Sequence, residues 1–169
     1  FNEGYTATSG DEWMRAALSE EALRLGRMLG QLLPGESEVQ ALVALMELQA
    51  SRNAARRGKN GEAVLLPDQD RGLWDYAQIQ RGQTALEQAQ KLSGGAKPYA
   101  LQAAIAACHM RARAAEETDW EAIVLLYDAL MRINPSPIVA LNRAVAIGMA
   151  QGPAAGLDAV DAAATLAGD

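Results

Sequence analysis

Three aspartates, Asp68, Asp70 and Asp75, lie close together in the stretch "LLPDQDRGLWD". Carboxylates at short spacing can bind a metal ion or act as a general acid and base. The spacing does not match an EF-hand loop, which needs a glycine and a distal glutamate at fixed positions. Asp70 comes just before a predicted helix, where a carboxylate can cap the first turn and interact favourably with the helix dipole. We therefore interpret these aspartates as caps and salt-bridge partners rather than as catalytic groups.

The one cysteine and the one histidine of the chain, Cys108 and His109, are adjacent in sequence. A Cys-His nucleophile pair requires the two side chains to converge, but adjacent residues on a helix point about 100° apart. A zinc site would need carboxylates almost alone, which structural zinc sites rarely use. We therefore expect no catalysis, no metal and no organic cofactor, and we interpret His109 as a helix residue at the edge of the packed core.

A basic stretch follows the second predicted helix and could bind a phosphate group; its members are Arg52, Arg56, Arg57 and Lys59. It lies at a helix C-terminus, however, where the dipole favours cations and disfavours anions. We interpret it as a solvated helix end. The sequence also contains no glycine-rich phosphate loop, nucleophile elbow or dinucleotide-binding fingerprint. These observations predict a protein that is not an enzyme.

The 169 residues fit a single domain, and half of them are apolar while only 5% are aromatic, which is typical of a helical protein. The formal net charge of −6 argues against a broad basic surface, so we expect the chain not to bind DNA directly. A single cysteine allows no internal disulfide, and no apolar run approaches the roughly 20 residues that span a bilayer. No signal-peptide pattern opens the chain. We expect a cytoplasmic protein without membrane contact.

Apolar residues recur at helical spacing in seven segments, which predicts an all-α fold of antiparallel helix pairs over residues 1–169. One short non-helical insertion is expected near residues 58–67, where an Asn-Gly turn precedes residues that favour extended structure. Ser19 is the predicted N-cap of the first helix, and Thr118 with Glu121 forms a capping box at the fifth. The apolar faces of three helices are Leu18, Ala22, Leu25, Leu29 and Leu32 in the first, Tyr76, Ile79, Gly82, Leu86 and Ala89 in the third, and Ile138, Leu141, Val145 and Met149 in the sixth.

Three aromatic residues, Trp74, Trp120 and Tyr127, are the predicted structural core. Trp120 and Tyr127 lie two turns apart on one face of the fifth helix. The 34-residue tetratricopeptide spacing is met in part, because Tyr127, Pro135 and Gly152 occupy positions of that repeat, whereas its opening motif is absent. The spacing supports one degenerate helix pair, and we expect a tetratricopeptide-like or solenoid-like arrangement.

Four strongly polar residues, Asp68, Gln69, Asp70 and Arg71, stand in a row before the third helix. They cannot all be caps, and loops held on a rigid scaffold commonly carry recognition groups. We therefore predict that this row serves interaction with a partner more than folding, whereas the neighbouring Trp74 serves folding.

Five stretches of the sequence stand in a fixed order with moderate gaps between them: "FNEGYTATSGDE", "LVALMELQASRNAAR", "LLPDQDRGLWD", "YALQAAIAACH" and "TDWEAIVLLYDALMRINPSPIVALNRAVAIGMAQGPAAGL". Taken together, they resemble the C-terminal extension of a group of bacterial extracytoplasmic-function sigma factors. The resemblance covers nearly the whole chain. Its specificity comes from the order of the five stretches, because each of them alone would carry little information.

The resemblance implies a helical, tetratricopeptide-like domain that follows the promoter-reading core of a larger sigma factor. In such proteins "FNEGY" lies shortly after the helix-turn-helix that reads the −35 element, so Phe1, Asn2, Glu3 and Tyr5 are candidate contacts at that junction. The implied partners are sigma core regions of the same parent chain, RNA polymerase or a regulatory protein. Promoter-specific initiation would belong to the parent. The alternative is a stand-alone tetratricopeptide-type scaffold that binds a peptide or a partner protein.

Overall fold

The structure, a computed structural model, describes residues 12–167, with side chains described for residues 17–164. This range contains seven α-helices and no β-strand. The helices are α1 (Glu12–Leu32), α2 (Ser37–Ala50), α3 (Tyr76–Leu92), α4 (Pro98–Arg111), α5 (Trp120–Ile133), α6 (Pro137–Gln151) and α7 (Pro153–Ala167). The predicted all-α fold is confirmed.

Two compact units divide the chain, one formed by residues 1–93 and the other by residues 94–169. In the first unit α2 packs against both α1 and α3, and in the second α4, α5, α6 and α7 pack against one another in sequence order. Two compact units can belong to one domain, so the prediction of a single domain stays a prediction. The tetratricopeptide-like arrangement stays a prediction as well.

Helices α2 and α3 form a close antiparallel pair. The hydroxyl of Ser37, at the start of α2, donates to the backbone oxygen of Ala89, near the end of α3, at 3.0 Å. Midway along the pair, a Cβ added at Gly82 would lie 2.8 Å from the Leu48 side chain. The contact therefore requires the absence of a side chain at Gly82, which explains why this glycine is part of the predicted and observed buried face of α3.

Helix α1 turns a different face to α2 from the one that its leucine spacing predicts. Among residues 17–32 of α1 the buried positions are Ser19, Leu23 and Gly26. A Cβ at Gly26 would lie 3.0 Å from the sulfur of Met46 on α2. Ser19 lies inside α1 and is buried, so its prediction as the N-cap is wrong. The large leucines of the predicted face are exposed, because α1 contacts α2 through the neighbouring face of Ser19, Leu23 and Gly26.

The segment between α2 and α3 contains no α-helix from residue 51 to residue 75. The non-helical insertion predicted near residues 58–67 is therefore part of a longer segment. Short 3₁₀ turns and one isolated antiparallel bridge between Arg57 and Ala63 shape it. The Asp75 N–H donates to the Ser51 oxygen at 2.9 Å, which closes the segment at its base.

Helix caps in both units differ from the predicted ones by a few residues. Asp75 caps α3 by accepting from the Gln78 N–H, whereas Asp70 caps only a short 3₁₀ turn over residues 71–73. In the second unit the N-cap of α5 is Asp119, and Thr118 before it is buried. The predictions that Asp70 caps the third helix and Thr118 the fifth are therefore wrong.

The second unit has a core cluster formed by Ile105 of α4, Ile123 of α5 and Ala146 of α6. Trp120 and Tyr127 are half-buried and pack against this cluster. Burial raises the pKa of the Tyr127 phenol above its ordinary value. These two aromatic residues therefore line the edge of the core.

Candidate protein-interaction surfaces

The four residues of the predicted interaction row have different environments. Asp68 and Asp70 are exposed, and the Asp70 carboxylate accepts from the Gly72 N–H at 2.8 Å. Gln69 is buried and donates its amide to the Val64 backbone oxygen at 3.1 Å. Gln69 therefore holds the segment together, whereas Asp68 and Asp70 present carboxylates to solvent.

Arg71 lies against Trp74, with the guanidinium carbon 4.6 Å from the centroid of the ring. This distance is within the range of a cation–π contact. Trp74 is only 4% exposed, so Arg71 covers a core residue of the first unit. Substituting Arg71 would change packing as well as charge, which makes Asp68 the better residue for testing interaction.

Large apolar side chains accompany these carboxylates in the same part of the chain. Leu65, Leu73 and Tyr76 are all exposed, and they flank Asp68 and Asp70 in sequence. A cavity of about 270 Å³ lies beside this segment, where α1, the end of α2 and the start of α3 meet. Its lining includes Leu73, together with Ser19, Leu23, Ser51, Asp75 and Gln78. The segment thus combines exposed apolar and acidic groups.

Glu47 of α2 is the buried centre of an ion-pair cluster that the sequence did not reveal. Its side chain is 2% exposed, and its two carboxylate oxygens accept from Arg27 of α1 at 2.6 and 2.9 Å. The Nε of Arg81 on α3 lies 3.7 Å from the same carboxylate. The hydrogen bonds to Glu47 raise the pKa of the Arg27 guanidinium. The cluster joins three helices, and we interpret its role as stabilising their packing.

The basic stretch after α2 is only partly solvated. Arg52 is buried and Arg56 is half-buried, and both donate to the side-chain oxygen of Gln49. Arg57 and Lys59 are exposed. The interpretation as a solvated helix end is therefore wrong for Arg52 and Arg56, which pack back against the last turn of α2.

Cys108 and His109 do not converge on a common site. Burial raises the pKa of the Cys108 thiol, which disfavours the thiolate needed for nucleophilic chemistry. The ring of His109 packs edge-on against Trp120 with 5.2 Å between the centroids. Within the described residues, no group of three or more His, Cys, Asp or Glu side chains could hold a metal ion.

Two helices carry apolar stripes that were predicted to face the core but are exposed. On α1 the exposed leucines are Leu18, Leu25, Leu29 and Leu32. On α6 the exposed apolar residues are Ile138, Leu141, Val145 and Met149. Exposed apolar side chains that share one helix face are typical of a surface that contacts another protein. The candidate junction residues Phe1, Asn2, Glu3 and Tyr5 lie outside the described residues.

Comparison with known proteins adds family membership and length. A family model described as a family of unknown function (DUF6596) matches residues 1–90. A protein of Rhizobium meliloti (strain 1021), itself named as uncharacterized, is 50% identical over 161 residues, which is 95% of this chain and 38% of that protein. No solved structure matches the chain. In the part of the chain that the structure describes, none of the helices is both long enough and apolar enough to cross a membrane.

Proposed function

Because this chain belongs to the DUF6596 family, whose function is unknown, we propose its role from its own residues: it is a protein-interaction domain that regulates a longer protein. The observation that carries this proposal is the exposed leucine stripe of α1, formed by Leu18, Leu25, Leu29 and Leu32. Leucines at helical spacing on one face are the pattern of a helix that packs against another surface. Full burial of an exposed leucine contributes about 1.5–3 kcal/mol, and each of these partly exposed side chains would contribute the corresponding fraction in a complex.

The acidic and apolar segment before α3 supports the same role. Asp68 and Asp70 are exposed beside Leu65 and Leu73, on a segment anchored by the buried Trp74. A scaffold that presents recognition groups on a connecting loop is a common arrangement for binding. The cavity beside this segment offers room for a partner side chain.

The longer protein is, in this proposal, an extracytoplasmic-function sigma factor that acts with RNA polymerase in the cytoplasm. The five ordered sequence stretches support this assignment. The length of the Rhizobium meliloti relative is compatible with it, because the chain spans only 38% of that protein and leaves room for polymerase-binding and promoter-reading regions. On this view the domain itself carries no enzyme activity, needs no cofactor and does not bind DNA.

A stand-alone scaffold is the second candidate, and the antiparallel helix pairs favour it. Helices α5 and α6 are in contact, and the sequence from α5 to the residue after α6 carries Tyr127, Pro135 and Gly152 at tetratricopeptide positions. Such a scaffold would bind its partner without any promoter-reading region in the same chain. The two candidates differ in whether the domain acts on transcription.

The test is transcription in vitro by the full-length parent protein with RNA polymerase on the parent's own promoter. We would compare Asp68→Ala and the double variant Leu25→Gln with Leu32→Gln against Glu87→Ala, an exposed acid on α3 that serves as the control. We expect transcription to change several-fold for the first two and to match the parent for the third. Melting points should stay within a few degrees, because surface substitutions shift stability by less than about 0.5 kcal/mol. Transcription at the parental level for both test variants would overturn the proposal.

A further inference from the structure

We propose that α6 and α7 together form a docking face for an amphipathic helix that has one apolar face and a basic edge. The inference rests on the proposed function of protein interaction and names a surface and a partner chemistry for it. The face is defined by the exposed stripe of α6, which is Ile138, Leu141, Val145 and Met149, together with Leu157 of α7. It lies entirely within the second unit.

The two helices form a tight antiparallel hairpin. Gly152, with a φ of 101°, ends α6, and Pro153 begins α7 immediately afterwards. A Cβ at Gly156 would lie 2.7 Å from the Cα of Gly148, so the two backbones touch at this point. Ala140, near the start of α6, and Ala163, near the end of α7, line a common crevice further along the pair. Small residues therefore occupy the seam between the helices.

The large apolar residues of the two helices lie on the same side of this seam. At about 100° per residue, the centre of the four-residue α6 stripe lies near Val145, about a quarter turn from the midpoint of the seam residues Ala144 and Gly148. On α7, Leu157 is about a quarter turn from Gly156 in the same rotational sense. Because the helices are antiparallel, equal rotations from the seam bring both sets to one side of the hairpin.

The opposite side of α6 is occupied by α5. Arg143 of α6 donates to the carboxylate of Asp128 on α5, and Ala146 packs with Ile123 of α5. Consequently α6 has neighbours on two sides and its apolar stripe on the third. The four large side chains of the stripe and Leu157 are each between 49% and 73% exposed. This is the geometry of a groove-lining helix pair that receives a third helix.

Charge identifies the partner. α7 carries two exposed aspartates, Asp158 and Asp161, and no lysine or arginine. The one charged residue of α6, Arg143, is turned to Asp128 on the other side. The charges next to the docking face are therefore acidic, and a partner helix would gain from Lys or Arg along the edge that faces α7. A second copy of this chain would bring the same aspartates into the interface, where like charges disfavour contact.

The probe is a synthetic 18-residue amphipathic helix with leucines on one face and lysines along both edges, labelled for fluorescence anisotropy. A matched peptide carries glutamates in place of the lysines. The 169-residue chain is titrated with each peptide, as are the double variant Leu141→Ser with Val145→Ser and the double variant Asp158→Asn with Asp161→Asn. Leu125→Ser is the control, because Leu125 is an exposed leucine on α5 and not part of the docking face.

We expect the lysine peptide to bind at least tenfold more tightly than the glutamate peptide. The serine double variant should lose at least tenfold in affinity for it, the asparagine double variant about threefold, and Leu125→Ser should bind like the parent. Absent binding, equal affinity for both peptides, or unchanged affinity of the serine double variant would overturn the proposal. Self-association of the parent in sedimentation, lost in the serine double variant, would overturn it in favour of a second copy. If transcription still responds to Leu25→Gln with Leu32→Gln, the proposed function stands although this docking face does not.

Discussion

Removal of Arg27 should destabilise the first unit more than neutralisation of its partner Glu47. The two members of the pair differ in solvent access, because the Glu47 side chain is 2% exposed and that of Arg27 is 42% exposed. Arg27→Ala leaves the carboxylate buried, with the Nε of Arg81 at 3.7 Å as the remaining cation in the cluster. Loss of one partner of a buried pair costs about 3–5 kcal/mol, and the remaining Arg81 places this variant near 3 kcal/mol.

Glu47→Gln should cost about 1 kcal/mol, since it retains an oxygen acceptor and leaves Arg27 able to reach water. The double variant Arg27→Met with Glu47→Leu replaces both charges by apolar groups of similar volume. It should be more stable than Arg27→Ala alone, because no carboxylate is then left buried without its main partner. This order of stabilities follows from the difference in burial between the two partners.

The assay is urea unfolding followed by circular dichroism at neutral pH, with linear extrapolation for each variant. Arg24→Ala is the control, because Arg24 pairs with Glu21 on the exposed side of α1 and should leave the midpoint unchanged. The reasoning fails if Arg27→Ala is no more destabilising than Glu47→Gln. It also fails if the double variant is less stable than Arg27→Ala.

Three further predictions concern helix contacts, caps and the thiol. Gly156→Ala should lower stability by about 1–3 kcal/mol in thermal unfolding, because the new Cβ meets backbone atoms; Gly94→Ala, with no atom within 4 Å of its Cβ, should be nearly neutral. Asp75→Ala should cost about 1 kcal/mol by the same measurement, more than Asp70→Ala, because Asp75 caps an α-helix whereas Asp70 caps a short 3₁₀ turn. Burial raises the pKa of the Cys108 thiol, so iodoacetamide at about pH 8.5 should alkylate the folded chain more slowly than the urea-unfolded chain. The free energy of unfolding should also fall as the pH rises past the ordinary thiol pKa, because the unfolded chain then loses its thiol proton before the folded chain does. Equal alkylation rates would contradict the assigned burial.

Helical periodicity predicted the class of the fold and one buried face well. On α3 the residues Ile79, Gly82, Leu86 and Ala89 are buried as predicted, because this helix uses a single apolar face against α2. Tyr76 of the same predicted face is exposed, because it is the first residue of the helix. A period of 3.6 residues locates an apolar stripe reliably, but it does not identify the surface that covers the stripe.

Glu47 shows what periodicity could not reveal. In sequence it interrupts an apolar stretch, "LVALMELQA". Because charged residues are mostly exposed, sequence alone predicts that Glu47 faces solvent. Its burial depends on Arg27, twenty positions away on another helix, and no local pattern records that pairing. The cap predictions were wrong for a different reason. Asp70 and Asp75 can both accept a hydrogen bond from the first turn of a helix, and so can Thr118 and Asp119. Only the path of the backbone selects between such neighbours.

Helices α1 and α6 place small residues at their closest helix contacts and expose most of their large apolar residues, and this arrangement links the fold to the proposed function. Both helices use small residues at their close contacts, Gly26 in α1 and Ala144 with Gly148 in α6. Each buries one large apolar residue, Leu23 in α1 and Ile147 in α6, while most of its other large apolar residues are exposed. Burial of further large apolar side chains would add stability, so the exposed stripes are not explained by the stability of the folded chain. We therefore expect Leu25→Gln and Val145→Gln to leave the free energy of unfolding within about 0.5 kcal/mol of the parent, as surface substitutions do. A decrease of several kcal/mol in the free energy of unfolding, measured with urea, would show that these side chains contribute to the folded core. The exposed stripes would then no longer be candidate binding surfaces.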